Sequence, residues 1–203
     1  MTTTLRAGLV VCVLTGSVIV ISLLGQASAQ EQKGSVTTHS SKRMVDGKRW
    51  TTTNLNVNTV PSYCYQDEPT KCGQYGRLYT WDSAKRGCQS LGDGWRLPTD
   101  DEWLQLAKHY GGTLEESEAG GKAAYKALLS GSNSGFNALL GGGRAENGEY
   151  ARLEAHGFYW TATESDPLTA AFYNFGKGRL ALNRHTTGEK QRAFSVRCVK
   201  TDE

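Results

Sequence analysis

The strongest apolar run of the chain lies near its amino terminus. Arg6 precedes a strongly apolar stretch over residues 9–24, and residues 27–29 have the sequence Ala-Ser-Ala. A basic residue, an apolar run and a small-residue site in that order are typical of a secretory signal peptide. We therefore predict a signal peptide over residues 1–29, cleaved after Ala29. The alternative is a leader retained as a membrane anchor, because the apolar stretch approaches the length that spans a bilayer.

After the leader the chain becomes polar and then patterned. Residues 30–41 are polar and show no periodicity, which predicts a flexible tether. A module over residues 42–203 follows. It opens with Asp46-Gly47 between two short extended runs, and this dipeptide is a strong signal for a two-residue β-hairpin turn.

Two segments have the apolar spacing of amphipathic helices. In the first, apolar positions recur with the helical period between a candidate N-cap at Thr80 and a candidate stop at Gly92. In the second, Thr99 and Glu102 have the spacing of a capping box, in which each side chain bonds the backbone N–H of the other residue. Gly111 ends the second pattern. These are the two principal helices that the sequence predicts.

The rest of the chain changes to loops and strands. Glycines concentrate over residues 111–148, which predicts a long glycine-rich loop region with one short helix at 122–130. We interpret the run Gly141-Gly142-Gly143 within it as a tight loop. Alternating residues predict strands at 150–154, 157–163, 170–175, 179–184 and 192–200. In the last strand the two-residue period directs Cys198 inward and Arg197 to the opposite face.

These elements predict an α+β fold with two principal helices packed on short antiparallel sheets. The chain has 203 residues, of which 38% are apolar and 21% charged, and these values fit an ordinary globular domain. A net charge of +3 gives no electrostatic footprint for nucleic acid. Outside the leader the chain is more polar, so its core gains from covalent cross-links.

Cysteines can supply those cross-links. The four that follow the leader are Cys64, Cys72, Cys88 and Cys198. An even number in an exported chain favours two disulfides, with three possible pairings. We predict Cys64–Cys72, which flank a turn, and Cys88–Cys198, which lie on the apolar faces of the first helix and the last strand. A four-cysteine zinc site is disfavoured because no Cys-x-x-Cys occurs, so we expect no metal.

Ordered motifs run through the whole module. They are DGKRWTT at 46–52, YCY at 63–65, YGRLYTW at 75–81, GWRLPT at 94–99, GFNAL at 135–139, GGR at 142–144, YWTATE at 159–164 and FSVRCV at 194–199. This pattern resembles the Fibrobacter succinogenes major paralogous domain over about residues 44–200. The resemblance implies a secreted or surface module with a C-type lectin-like fold, distantly related to the formylglycine-generating sulfatase-modifying enzymes. It implies no known activity, since binding sites vary independently of such a scaffold.

The sequence carries no recognisable catalytic or calcium site. Sulfatase-modifying enzymes use a pair of reactive cysteines late in the fold, where this chain has only Cys198. Calcium-dependent lectins of this fold use Glu-Pro-Asn or Gln-Pro-Asp followed by Trp-Asn-Asp, and none of these strings occurs. The four histidines are scattered, and the acidic run at 100–102 suits the first turn of a helix, whose dipole favours acidic groups. We therefore assign no catalytic residue.

The remaining candidate for a ligand site is a polar and aromatic patch on the late strands and their loops. Aromatic side chains and arginine dominate binding interfaces. The candidate residues are Trp160, Glu164, Asp166, Tyr173, Asn174 and Arg184. The alternative for Trp160 is packing in the core, since one of the adjacent strand residues Tyr159 and Trp160 faces inward.

These features predict a secreted, disulfide-stabilised, non-catalytic binding module. We expect it in the secreted, periplasmic or cell-surface fraction, with an extracellular protein or polysaccharide as its partner. We expect no cofactor and no nucleic acid, and membrane contact only if the leader is retained. Two alternatives stay open. One is an enzyme of the sulfatase-modifying type, which needs a reactive thiol or a buried metal, and the other is a structural component of the cell envelope.

Overall fold

Four α-helices and three small sheets make up the part of the chain that the computed structural model describes, residues 39–201. The predicted signal peptide, its cleavage site at Ala29 and residues 30–38 of the predicted tether lie outside this range. The last tether residue, Ser41, is already the first residue of a strand. Within residues 39–201, no helix is long and apolar enough to cross a membrane.

Helices and strands are mixed along the chain. The helices are α1 (Pro69–Tyr75), α2 (Trp81–Gln89), α3 (Asp100–His109) and α4 (Glu118–Leu128), with a short 3-10 helix at Tyr65–Asp67. The strands are β1 (Ser41–Arg43), β2 (Arg49–Thr51), β3 (Ser62–Tyr63), β4 (Leu78–Tyr79), β5 (Gly141–Arg144), β6 (Tyr150–Leu153), β7 (His156–Glu164), β8 (Thr169–Gly176), β9 (Ala181–Glu189) and β10 (Val199–Lys200). The mixed helix-and-sheet class is confirmed, with four helices in the described range where the sequence predicts two principal ones.

The hairpin and both principal helices form where the sequence predicts them. β1 and β2 pair antiparallel around the Asp46-Gly47 turn, where Gly47 has a φ of 79°. α2 follows Thr80 and α3 follows Thr99. The Thr99 hydroxyl accepts from the Glu102 N–H at 3.2 Å, and the Glu102 carboxylate accepts from the Thr99 N–H at 2.9 Å. The predicted capping box is therefore present.

The largest sheet has the strand order β6-β5-β7-β8-β9. β7, β8 and β9 are antiparallel neighbours, and β5 meets β7 in parallel at Gly142 and Gly157. The strands predicted at 150–154, 157–163 and 170–175 are confirmed. β9 continues to Glu189, beyond its predicted end at Arg184.

The glycine-rich region is more regular than predicted. Its helix, α4, begins at Glu118 and is longer than the short helix predicted at 122–130. Gly141-Gly142-Gly143 forms most of strand β5, so the interpretation of this run as a tight loop is wrong. A Cβ on Gly142 would lie 2.6 Å from the Ala151 carbonyl oxygen and 2.8 Å from the Tyr65 ring. The glycines are there because backbone and aromatic side chains approach this strand closely.

The segment 192–200 is a strand only at its end. β10 pairs with β2, whereas Phe194 and Ser195 make isolated bridges to Tyr79 and Tyr159. The prediction of one continuous strand is wrong because this buried segment changes its pairing partner from one residue to the next.

Arg197 also departs from the predicted alternation. Its side chain is fully buried because both sides of the terminal segment are covered. The guanidinium donates to Asn54 Oδ1 at 2.9 Å, to the Thr51 carbonyl at 2.9 Å and to the Asn137 carbonyl at 2.6 Å. Burial lowers the pKa of Arg197. These bonds supply the partners that a buried charged group requires, and they join the amino-terminal, glycine-rich and terminal segments.

Both predicted disulfides are present. Cys64 and Cys72 have Cα atoms 4.9 Å apart, and they enclose the 3-10 helix and the start of α1, which the sequence indicated only as a turn. Cys88 and Cys198 have Cα atoms 5.5 Å apart. The second bond links α2 to the terminal segment.

Two aromatic clusters fill most of the interior. In one, the Trp103 ring stacks on Tyr173 with centroids 5.1 Å apart and meets Trp50 edge-on at 5.3 Å. In the other, Trp160 packs on Phe194 at 4.5 Å. The late strands of the largest sheet contribute to both clusters, so their inward side chains are committed to the core.

Candidate functional site

The two aromatic residues of the predicted patch lie in the core. The Trp160 side chain has no exposed area, and its Nε1–H donates to the Tyr79 carbonyl at 2.8 Å. Tyr173 also has no exposed area, and its hydroxyl donates to the Asp100 carbonyl at 3.2 Å. The sequence left packing open as the alternative for Trp160, and the structure has that arrangement. Neither ring presents a surface to a ligand in this structure, because both are packed in the core.

Asn174 and Arg184 have intramolecular partners. The Asn174 Oδ1 lies 3.0 Å from His156 Nδ1. The Arg184 Nε donates to both carboxylate oxygens of Asp100, at 2.9 and 3.1 Å, and Nη2 also bonds this carboxylate. The Arg184 N–H donates to Glu115 at 2.8 Å. The hydrogen bond with Asp100 raises the pKa of Arg184. Arg184 therefore joins β9 to the start of α3.

Glu164 and Asp166 build the turn between β7 and β8. The Glu164 carboxylate lies 2.9 Å from Lys190 Nζ, and the same ammonium donates to the Asp166 carbonyl at 2.8 Å. The Asp166 carboxylate accepts from the Thr169 hydroxyl at 2.6 Å and from the N–H groups of Leu168 and Thr169 at 2.7 and 2.8 Å. The Thr169 hydroxyl and these N–H groups lower the pKa of Asp166. The two acidic residues are close to each other, but they serve the turn.

Another candidate site lies in the glycine-rich region, away from the predicted patch in the sequence. An open groove of about 910 Å³ runs along α4 and the loop that follows it. We call it the α4 groove. Its principal lining residues are Tyr110, Lys122, Tyr125, Lys126, Asn133 and Leu180.

Several polar groups of the α4 groove are free. Among residues 39–201, the hydroxyls of Tyr110 and Tyr125 have no hydrogen-bond partner, and the same is true of the Lys126 ammonium and the Asn133 side-chain amide. Burial raises the pKa of both tyrosines, so both hydroxyls stay protonated at neutral pH. Leu180 adds an apolar wall and is 54% exposed. A concave, largely apolar site with a few free polar groups has the composition of a ligand site.

Sequence reasoning could not assemble this groove. Its residues come from the end of α3, from α4, from the loop at 129–134 and from Leu180. Leu180 has a φ of 50° in the turn between β8 and β9, and nothing in the local pattern connects that turn with α4. The available signal was the length and glycine content of the segment 111–148, because long irregular connections are often functional.

The comparison with protein families covers most of the module. A family model described as the Fibrobacter succinogenes major domain matches residues 35–200. The chain belongs to this family. No curated protein and no solved structure matches the chain.

In this Fibrobacter succinogenes major domain, the recognisable motifs build the scaffold. Trp50, Trp160 and Cys198 each lie in one of them, and none of the three has exposed area. The α4 groove residues at 122–134 lie between the motifs at 94–99 and 135–139. The motifs therefore describe the core, and the groove is built largely by a segment between them.

The carboxylates of Asp100 and Glu102 and the four cysteines of the described range have partners within the fold. No group of three or more histidine, cysteine, aspartate or glutamate side chains in residues 39–201 could hold a metal ion. The Glu102 carboxylate bonds Arg96 at 2.6 and 2.7 Å. Burial opposes its ionisation, but the bonds from Arg96 and from the Thr99 backbone outweigh burial and lower the pKa of Glu102. In this range the acidic run at 100–102 therefore stabilises the start of α3.

Proposed function

We propose that this chain is a non-catalytic extracellular binding module that holds a polysaccharide in the α4 groove. The observation that carries the proposal is the set of free polar groups in that groove, where Tyr110, Tyr125, Lys126 and Asn133 face an open concavity with an apolar wall. Sugars offer hydroxyls to such donors and apolar ring faces to aromatic and aliphatic side chains. An open groove admits a chain rather than a small enclosed molecule.

The proposed location is the secreted, periplasmic or cell-surface fraction. Two disulfides support it, because such bonds persist in oxidising compartments. The finer fold assignment, a C-type lectin-like domain, belongs to the same proposal. It is supported by family membership, by the pairing of terminal strands in the order β1-β2-β10 and by the disulfide that ties α2 to the terminal segment.

A glycan and protein array tests the partner class. The protein used is the chain from Gln30, which corresponds to the predicted mature form. We expect polysaccharide binding that Lys126→Ala and Asn133→Ala each weaken, because each change removes a free donor from the groove. The matched control is Lys71→Ala, which removes a lysine of α1 outside the groove. Binding only to proteins, or binding that the groove variants leave unchanged, contradicts the proposal.

The enzyme alternative has its own test. An enzyme of the sulfatase-modifying type needs a reactive thiol, whereas Cys64, Cys72, Cys88 and Cys198 are joined in disulfides. We expect a thiol titration of the folded chain from Gln30 to find no reactive cysteine. Rapid labelling of a thiol in the folded protein would favour the enzyme.

A further inference from the structure

A second surface combines aromatic rings with an arginine. β5, β6 and the segment around the 3-10 helix meet there. The Arg144 guanidinium lies 4.1 Å from the centroid of the Tyr63 ring and 5.6 Å from that of Tyr150. The Tyr65 ring lies 5.2 Å from Tyr150. Stacking on aromatic faces fixes the plane of a guanidinium and leaves its N–H edge available.

The backbone is unusual at this surface. Six non-glycine residues of the described chain have positive φ, and four of them, Gln66, Asp67, Arg152 and Glu154, lie in the segments that form it. Left-handed backbone is costly for such residues and persists where the surrounding structure fixes it, often at binding sites. Four such residues in these segments indicate that the surrounding structure fixes the backbone at this surface.

Two of these residues fix tyrosine side chains. The Asp67 carboxylate accepts from the Tyr150 hydroxyl at 2.7 Å, and the Glu154 carboxylate accepts from the Tyr75 hydroxyl at 2.7 Å. Burial and the bond to Asp67 raise the pKa of Tyr150 to about 12. Tyr150 is therefore neutral and held in place beside Arg144.

A cleft of about 240 Å³ opens next to this surface. We call it the arginine cleft. It is lined principally by Arg144, Glu149, Arg152, Phe158, Arg192 and Phe194. The rings of Phe158 and Phe194 stack with centroids 5.0 Å apart, so they form an aromatic wall beside the three arginines.

The charges in the arginine cleft are only partly compensated. Arg192 pairs with Glu189 at 2.7 Å. Among residues 39–201, the Arg152 side chain has no hydrogen-bond or ion-pair partner, and the buried Nε of Arg144 has no hydrogen-bond acceptor. Glu149 is the acidic residue that lines the cleft. Arg152 therefore has no anionic partner in this range, and Arg144 lines the same cleft.

We propose that the arginine cleft binds the carboxylate of an acidic sugar residue, as in a uronate-containing polysaccharide. Arg144 and Arg152 present planar donor groups that match a carboxylate, and Phe158 adds apolar surface to the lining of the cleft. This site is separate from the α4 groove. The two proposals have one point in common, which is that the ligand is a polysaccharide.

The test compares oligogalacturonate with its methyl ester, which has the same sugar chain without the charge. Calorimetric titration of the chain from Gln30 is expected to give binding to the acid and at least about tenfold weaker binding to the ester, since charge-assisted hydrogen bonds are lost. Equal binding of both ligands, or no binding of the acid, overturns the proposal. Stronger binding of dextran sulfate than of oligogalacturonate overturns the choice of a carboxylate.

Three variants test where the ligand binds. Arg152→Gln is expected to weaken oligogalacturonate binding about tenfold, whereas Glu149→Gln is expected to strengthen it because a like charge is removed. Arg86→Gln, on α2 and outside the cleft, is the matched control and should bind as the unmodified chain does. Unchanged binding in Arg152→Gln and Glu149→Gln overturns the site. If Lys126→Ala alone weakens binding, the acidic ligand lies in the α4 groove, and the proposed function stands while the arginine cleft is rejected.

Discussion

Arg184 on β9 and Asp100 at the start of α3 form an ion pair in which one guanidinium contacts both carboxylate oxygens. The Asp100 side chain is only 11% exposed, and that of Arg184 is 34% exposed. The Asp100 carbonyl also accepts from the Tyr173 hydroxyl. The pair therefore holds the edge of the largest sheet against a helix, and it explains why Arg184 is better described as a structural residue than as a free ligand anchor.

The Arg184–Asp100 pair leads to the first prediction. Arg184→Ala should lower the free energy of unfolding by about 1–3 kcal/mol, because it leaves a largely buried carboxylate without its partner. Urea unfolding measures this change. Arg184→Lys retains the charge but not the two-point geometry. Its free energy of unfolding should lie between those of the unmodified chain and Arg184→Ala. An unchanged unfolding midpoint with reduced ligand binding would return Arg184 to the ligand site.

The second prediction concerns Trp160. Trp160→Ala should destabilise the domain by about 3–5 kcal/mol, the usual cost of truncating a buried large aromatic residue. Trp160→Phe should cost less, since it keeps much of the volume and loses the bond from Nε1 to the Tyr79 carbonyl. Chemical unfolding followed by circular dichroism checks both. A Trp160→Ala protein with unchanged stability would contradict the core position.

The third prediction compares the disulfides by removing each with a double substitution to alanine. On the chain-entropy model, losing Cys88–Cys198 should cost about 5 kcal/mol and losing Cys64–Cys72 about 2.5 kcal/mol, because the cysteines are 110 and 8 residues apart. Unfolding experiments under non-reducing conditions give the two values. The same cost for both, or a larger one for the short loop, would be contrary to this expectation.

The fourth prediction follows from the lowered pKa of Glu102. The folded protein favours the ionised carboxylate, so its contribution to stability is present above the ordinary glutamate pKa of about 4.3 and is lost as the pH falls through the lower folded value. The stability difference between the unmodified chain and Glu102→Gln should therefore shrink on acidification from about pH 6 to about pH 3. Urea unfolding across this range measures it.

Glu118→Gln is the control for the pH experiment. Like Glu102, Glu118 pairs with a basic residue, Lys122 at 2.7 Å, but the Glu118 side chain is 74% exposed. Exposed pairs contribute little and are screened by salt, so this variant should follow the unmodified chain at physiological ionic strength. If the two variants show the same pH dependence, the bonds from Arg96 and Thr99 are not the cause.

Local chemistry explains which elements the sequence could predict. The Thr99 and Glu102 capping box, the Asp46-Gly47 turn and the alternation in β7 and β8 each depend on neighbouring residues. The Cys88–Cys198 pairing could be predicted because both residues lie on the apolar faces of their elements. Such signals were sufficient for the mixed fold class and for most strands of the largest sheet.

The features that escaped prediction depend on contacts between distant segments. Alternation in the terminal segment cannot reveal that both of its faces are covered, as Arg197 demonstrates. A run of glycines such as 141–143 is typical of a loop, and the sequence does not show that the Tyr65 ring packs closely against it in a strand. The α4 groove likewise requires Leu180 to meet a helix that ends at Leu128. The aromatic residues of the predicted patch show the same limit, because the local pattern does not reveal that the core buries both Trp160 and Tyr173.

The bond between Cys88 and Cys198 also determines how the domain would respond to an extracellular protease. Exposed loop tips are the preferred sites of cleavage, and the loops at 129–135 and 145–149 both lie between these two cysteines. A single cut at either place leaves two fragments that remain one molecule, because the sulfur bridge still connects them. The α4 groove and the principal residues of the arginine cleft also lie within this covalent ring. A nicked domain can thus keep both surfaces together until a reductant releases the fragments.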